Sequence, residues 1–190
     1  IIEDSDSKHV FYNYTLESKI DSIGNNLTDV MLIKTRTIKE LISSTSNKIN
    51  FEQNKTSLYD TAVIIYTSGT TGNPKGVLLT HLNLLSDAMG ISNWFKFNRE
   101  TRCLCILPLF HNNGQITTLL APLYAGGSTV IVKGKISLYA FWDLVNKYKA
   151  TWTSVMASIL SILLSLPNER KGNSLRAILC GGQILTRSVQ

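Results

Sequence analysis

Thr67-Ser68-Gly69-Thr70-Thr71-Gly72-Asn73-Pro74-Lys75-Gly76 gathers four hydroxyls, three glycines and one lysine into ten residues. Thr61-Ala62-Val63-Ile64-Ile65-Tyr66 leads in and Val77-Leu78-Leu79 leads out. β-Branched residues before the run and turn residues within it predict a strand, a loop and a second strand. Glycine accepts the positive φ that lets successive backbone N–H groups converge on one anion. The hydroxyls add donors, and Lys75 adds a mobile positive charge suited to phosphate oxygens. A plain polar surface loop draws on the same residue types, but no acidic residue interrupts this run of donors. A Walker-type triphosphatase loop fails at two positions. Counted from Gly69, the residue before Lys75 is Pro74 instead of Gly, and the residue after it is Gly76 instead of Ser or Thr.

Downstream, strand and helix patterns alternate. Thr80 is placed to cap a helix over His81 to about Phe95, with Leu82, Leu85 and Met89 on one face and Leu84, Ala88 and Ile91 beside them. His81, in its first turn, is either a surface residue or a group that fixes the exit of the loop. A strand over Arg102 to Leu107 runs into Pro108-Leu109-Phe110-His111. Asn112, Asn113 and Gly114 then mark a tight turn before a helix from about Gln115 to Tyr124. Ala125-Gly126-Gly127 closes that helix, and Ser128 to Lys133 is a β-branched strand. Ser137 caps a helix carrying Phe141, Leu144, Val145 and Tyr148. Thr151 to Val155 is a strand, Ile159 to Leu166 a helix, and Leu175 to Cys180 a strand ending in Gly181-Gly182. This order predicts an α/β protein with a largely parallel sheet and flanking helices. Ligands of such sheets gather at the carboxyl ends of strands. Tyr66, Leu107 and Cys180 end three predicted strands, so the runs that follow them are expected to share one site.

Residues 1–59 say less. Val10 to Tyr14 suits a short strand, Thr37 to Ser44 a helix with Ile38, Leu41 and Ile42 on one side, and Ser43 to Tyr59 a polar loop. The expected division is an upstream part over 1–59 and a core over 60–190.

Composition narrows the classes. The net charge of +6 is uneven, with 7 basic and 9 acidic residues before position 61 and 12 and 4 after it. A basic half suits phosphorylated ligands. No Lys/Arg run with interleaved aromatics appears, so nucleic-acid binding is disfavoured. The longest apolar stretch, near Val155 to Leu166, is too short for a membrane span and is broken by Ser158, Ser161 and Ser165. Three cysteines give no disulfide framework. Cys103 and Cys105 alternate along one strand and read as small core residues, which fits a reducing, cytoplasmic setting.

Tyr66 to Val77 resembles the signature of the adenylate-forming superfamily, which includes acyl-CoA synthetases, adenylation domains of peptide synthetases and luciferases. Leu107-Pro108-Leu109-Phe110-His111-Asn112-Asn113-Gly114-Gln115 is similar to that family's second core motif. Leu179-Cys180-Gly181-Gly182-Gln183-Ile184-Leu185 is similar to the glycine pair before its adenine-binding segment. The three lie in the family's order, and the resemblance covers roughly Asp60 to Gln190. It implies part of the N-terminal domain of an adenylate-forming enzyme, a ligase that converts a carboxylic acid and ATP to acyl-adenylate and pyrophosphate. The acyl group then passes to a thiol, either CoA or the phosphopantetheine of an acyl carrier protein.

By that resemblance Thr67, Ser68, Gly69, Thr70, Thr71 and Gly72 hold the β- and γ-phosphates, with Lys75 as the charge partner. His111 has three competing uses: a satisfied loop histidine, a metal ligand, or a group lining the acyl and thiol channel. No second ligand lies at metal spacing, and the resemblance favours the channel, with Asn112 beside it. Gly181, Gly182 and Gln183 are expected at the acyl-adenylate. Leu107 to Gln115 lacks the aspartate that adenylation domains usually place near this motif, which points to a fatty or other non-amino acid.

Met156 stands where the family often has proline. The family's adenine, Mg2+, ribose and hinge segments and its C-terminal lysine would lie past Gln190, so this stretch alone is expected not to turn over. Two other readings stay open: an adenylation domain of a peptide or polyketide synthetase, and a non-catalytic nucleotide-binding relative.

Overall fold

A computed structural model describes residues 1–24, 27, 29–35, 55–69, 72–132, 138–166, 174–182 and 184. The expected helix over 37–44 lies outside them. The chain divides into two units, Ile1–Ser57 with Tyr66–Leu78, and Leu58–Ile65 with Leu79–Gln190.

In the first unit, β1 (His9–Asn13) pairs in parallel with β2 (Met31–Thr35), His9 opposite Met31 and Asn13 opposite Thr35. Between them runs α1 (Glu17–Gly24). Its polar sequence hides α1 from a periodicity reading, since Ile20 is the one buried residue of the helix. Glu17 and Lys34 form an ion pair that ties α1 to β2.

β3 (Thr61–Thr67) and β4 (Lys75–Thr80) make a two-stranded sheet, the predicted strand–loop–strand. The Tyr66 hydroxyl, near its loop end, donates to the Asp4 carboxylate at 2.5 Å. That bond to a carboxylate is the main reason the phenol's pKa is raised.

The second unit is built on a four-stranded sheet in the order β6 (Ser128–Ile131), β5 (Arg102–Cys105), β7 (Trp152–Val155), β8 (Ala177–Cys180), with every pairing parallel. Its two central strands are buried on both faces, as parallel sheets covered by helices require. Cys103, Leu104 and Cys105 are all 2% exposed or less, so the two cysteines are core residues as expected, and Leu104 between them is buried as well. Leu104 and Val155 join Phe141 and Val145 of α4 (Phe141–Tyr148) and Leu163 of α5 (Ala157–Ser165) in one core cluster.

A second apolar cluster, Ala88, Ile116 and Ala121 with Leu84, Ile91, Phe97 and Leu120, gathers around α2 (His81–Trp94). The helix starts where expected. Thr80 accepts from the Asn83 N–H while Asn83 Oδ1 accepts from the Thr80 N–H, a reciprocal cap. Its buried edge is Ala88 and Ser92, however, and Leu85 and Met89 are 46% and 44% exposed. Ser92 reaches the carbonyl of Ala121 at 2.6 Å, a bond no apolar stripe announces.

The helix after β5 differs in kind from the expected one. Asn113–Leu120 is a π-helix, continued by the short α3 (Ala121–Tyr124). The Thr118 hydroxyl donates to the Gly114 carbonyl at 2.8 Å, taking the acceptor that an α-helix would give to the Thr118 N–H. The Ala121 N–H instead reaches five residues back, to Ile116. Among the described residues no helix is long and apolar enough to cross a membrane.

Truncating the fully buried Phe141 to Ala should remove about 3–5 kcal/mol of stability. Met89→Ala, on the exposed edge of α2, should cost less than about 1 kcal/mol. Urea denaturation of the two variants beside the parent checks the contrast.

Candidate functional site

The loop after β3 is shaped by two glycines. A Cβ on Gly69 would lie 2.3 Å from the Asn73 carbonyl oxygen, and the Gly72 N–H donates to the Gly69 carbonyl at 3.0 Å. Gly72 holds φ at +85°, where any L side chain is strained. The Thr67 hydroxyl donates to the Lys75 carbonyl at 3.4 Å, closing the base of the loop across the two strands. Thr67, Ser68 and Lys75 are exposed, so a ligand can reach them from solvent. Thr70 and Thr71 lie outside the described residues. The backbone is thus folded back on itself by residues that cannot be larger, a cradle suited to an anion.

The His111 run leaves β5 by a turn in which the His111 N–H donates to the Pro108 carbonyl at 3.1 Å. The predicted turn at Asn112, Asn113 and Gly114 is displaced, since Asn113 and Gly114 already belong to the π-helix. Gly114 is required for a different reason from the expected one. A Cβ there would come 2.4 Å from the Pro108 oxygen and 2.9 Å from the Leu107 oxygen. The close approach lets the helix begin directly on the strand exit. His111 is exposed, its ring centroid 4.5 Å from that of Phe110, itself 71% exposed. Asn112 is exposed beside it.

Asn113 and Ser154 are the residues a motif reading misses. The buried Ser154 hydroxyl donates to Asn113 Oδ1 at 2.8 Å and so ties the motif to the end of β7. A polar Thr153-Ser154 pair inside an apolar strand is the signal that could have found it. Gly181 and Gly182 follow β8, with the Gly181 N–H donating to the Val155 carbonyl at 3.2 Å and Gly182 at φ +81°. Gln183 is outside the described residues. His111, Asn112, Gly181 and Gly182 therefore leave the carboxyl edge of one parallel sheet, β5 and β8 being separated by β7 alone. The phosphate loop belongs to the other unit and is described by itself.

Burial raises the Cys103 thiol to about 12 and pushes the Cys105 thiol upward as well, so neither serves as a nucleophile near neutral pH. Among the described residues no three His, Cys, Asp or Glu side chains gather into a metal set.

Comparison with known proteins places the chain. It belongs to the AMP-binding enzyme family, whose model matches residues 1–190. The sulfoacetate–CoA ligase of Cupriavidus necator is 42% identical over 107 residues, 56% of this chain and 21% of that protein. The peroxisomal OPC-8:0-CoA ligase 1 of Arabidopsis thaliana is 32% identical over 180 residues, 91% of this chain and 31% of the relative. The matches thus span about a fifth to a third of these curated relatives' lengths. The solved o-succinylbenzoate CoA synthetase of Bacillus subtilis, in complex with its acyl-adenylate intermediate, is 29% identical, with a TM-score of 0.79. It covers 96% of this chain and 45% of its own. The fold is that of the N-terminal domain of adenylate-forming enzymes, as the sequence motifs implied.

Three outcomes follow from the packing of the site and of the cysteines. Gly114→Ala must push against backbone oxygens and should cost about 1–3 kcal/mol, whereas a Cβ on Gly181 meets nothing within 4 Å and Gly181→Ala should unfold with the parent in urea. Iodoacetamide at pH 8 should label the part-exposed Cys180 well before Cys103 or Cys105. The unfolded chain ionises Cys103 near its ordinary value of 9 and the folded chain only near 12. Stability should therefore be unaffected by this thiol below pH 9 and fall as pH rises from 9 toward 12, which denaturation at stepped pH will read.

Proposed function

We propose that this chain is the phosphate- and acyl-binding part of an ATP-dependent acid–thiol ligase of the acyl-CoA synthetase kind. The observation that carries the reading is the loop Thr67–Lys75, whose Gly69 and Gly72 shape the turn and whose Thr67, Ser68 and Lys75 are exposed. Membership of the AMP-binding family and the CoA ligase names of the relatives support it. Thr67, Ser68, Gly69, Thr70, Thr71 and Gly72 hold the β- and γ-phosphates of ATP, and Lys75 neutralises charge on the leaving group.

A carboxylate oxygen of the acid forms a bond to the α-phosphorus, the bond from that phosphorus to the β-bridging oxygen breaks, and pyrophosphate departs with the electron pair. The loop's donors stabilise the charge growing on that group without having to reorganise. His111 and Asn112 at the exit of β5, with Gly181, Gly182 and Gln183 at the exit of β8, line the place where acid and acyl-adenylate lie. The absence of an acidic residue from Leu107 to Gln115 suits a fatty or other non-amino acid. The acceptor is the thiol of CoA, or of phosphopantetheine on an acyl carrier protein. Three unpaired cysteines suit a reducing compartment such as the cytoplasm.

A hydrogen bond to a charged group is worth about 1.5–3 kcal/mol. In the full-length protein Lys75→Ala should therefore slow ATP–pyrophosphate exchange about 10- to 100-fold, with an unchanged circular dichroism spectrum. Exchange at the parent rate would remove the phosphate role from this loop.

A further inference from the structure

The four parallel strands of the second unit all begin at one edge, opposite the edge from which the His111 and Gly181 runs leave. The Thr151 N–H donates to the Arg102 carbonyl and the Arg176 N–H to the Thr151 carbonyl, each at 2.8 Å, so the starts of β5, β7 and β8 lie side by side. The turn after α2 joins them, since the rings of Phe95 and Phe97 lie 5.2 and 5.0 Å from that of Trp152, the first residue of β7. On this amino edge Lys96, Arg99, Arg102, Lys147, Lys149 and Arg176 are all exposed, against the single carboxylate of Glu100. Asp143, in the first turn of α4, is at the other end of its helix.

Two of these cations hold the edge together. The Arg102 guanidinium donates to the Ser128 hydroxyl and the Tyr148 carbonyl, and Arg176 pairs with Glu100 at 3.4 Å. The side chains of Lys96, Arg99, Lys147 and Lys149 have no ion pair or hydrogen bond among the described residues. Lys147 lies over the Tyr148 ring, 5.1 Å from its centroid. Trp94, two residues before Lys96, is 81% exposed.

The backbone marks two of the lysines. Lys96 follows the last turn of α2 at φ +54°, and Lys149 caps α4 at φ +51°. Glycine takes this left-handed conformation at a helix end without strain. A cation near a helix C-terminus gains from the helix dipole, but a left-handed residue with a side chain costs more than that gain. Lys147, in the last turn of α4, has the same gain from an ordinary helical position. Folding alone therefore does not account for a lysine at either turn.

We infer that the amino edge of this sheet docks on an anionic phospholipid membrane, with Lys96, Arg99, Lys147 and Lys149 facing the headgroups and Trp94 entering between them. Lysine is a point charge without the planar fork that grips one phosphate from two sides, and two of the three arginines here are turned to partners of their own. Spread lysine charge suits the diffuse field of a charged leaflet. An exposed indole beside it suits the headgroup layer, where an apolar ring with one polar N–H is at home. A carrier protein delivering a thiol would need the opposite edge, so charge placed here does not serve one. The inference goes beyond the ligase reading and does not depend on it. A protein docked by this edge keeps the exposed His111, at the carboxyl edge, open to solvent.

The test uses the full-length protein, its Lys96→Gly/Lys149→Gly variant and its Trp94→Ala variant. Each is sedimented at low salt with vesicles of phosphatidylcholine, alone or mixed with phosphatidylserine. The parent should bind the mixed vesicles and not the neutral ones, and more weakly as salt rises. One lysine near an anionic leaflet is worth about fivefold in affinity, so the double variant should bind roughly 25-fold more weakly. Glycine relieves the left-handed strain at both positions, so this variant should keep the parent's urea midpoint or exceed it, which separates lost docking from lost folding. Trp94→Ala should bind more weakly too, without the blue shift in fluorescence that the parent shows on mixed vesicles. Failure of the parent to bind mixed vesicles, equal binding to both kinds, or undiminished affinity in either variant overturns the assignment. Binding of an acidic carrier protein or of single-stranded DNA that the double variant loses, with vesicles left unbound, gives the edge to another partner and overturns it as well.

Discussion

Burial of β5 on both faces is the constraint on which the second unit depends. Cys103, Leu104 and Cys105 leave no surface for water on either side, so helices must cover both faces and the connections must cross from one strand to the next in parallel. A parallel sheet puts all its carboxyl ends at one edge, and two of the three recognition runs emerge there. The same burial keeps the cysteine thiols protonated and removes them from the chemistry. Loss of a large core side chain such as Phe141 would therefore disturb a site to which it contributes no atom.

Close approach is the second theme. Gly114 brings the π-helix against the Leu107 and Pro108 carbonyls, and Gly69 brings the phosphate loop against the Asn73 carbonyl. At both places the missing Cβ is what lets the backbone turn sharply after a strand. Neither glycine need touch a ligand to be essential. They set where the hydroxyls, Lys75 and His111 begin. The π-helix extends the effect: with the Thr118 hydroxyl occupying the Gly114 carbonyl, the backbone is wound more widely, and Asn112 and Ile116 face away from the sheet while Asn113 reaches Ser154.

The two flanks of that helix meet different neighbours. One flank is anchored to β7 through Asn113 and Ser154, near the glycines that end β8. The other opens onto Ser86 and Asp87 of α2.

The amino-acid order by itself determined the alternation of strands and helices, the strand–loop–strand around Thr67–Gly76 and the cap at Thr80. Each depends on neighbours a few residues apart: β-branched runs, turn glycines, and a hydroxyl before an apolar stripe. It also determined family membership, because ten contiguous residues of special backbone geometry are legible without knowing where they lie in space. Tertiary structure alone decided which edge of α2 is buried, that the helix after β5 is a π-helix, and that Gly114 serves packing and not a turn. It alone joined Ser154 to Asn113. The buried edge of α2 and the Asn113–Ser154 bond turn on partners 29 and 41 residues away, Ala121 for Ser92 and Ser154 for Asn113. Local propensity carries no information about contacts at that range, and it does not separate a π-helix from an α-helix or a glycine kept for close packing from one kept for a turn.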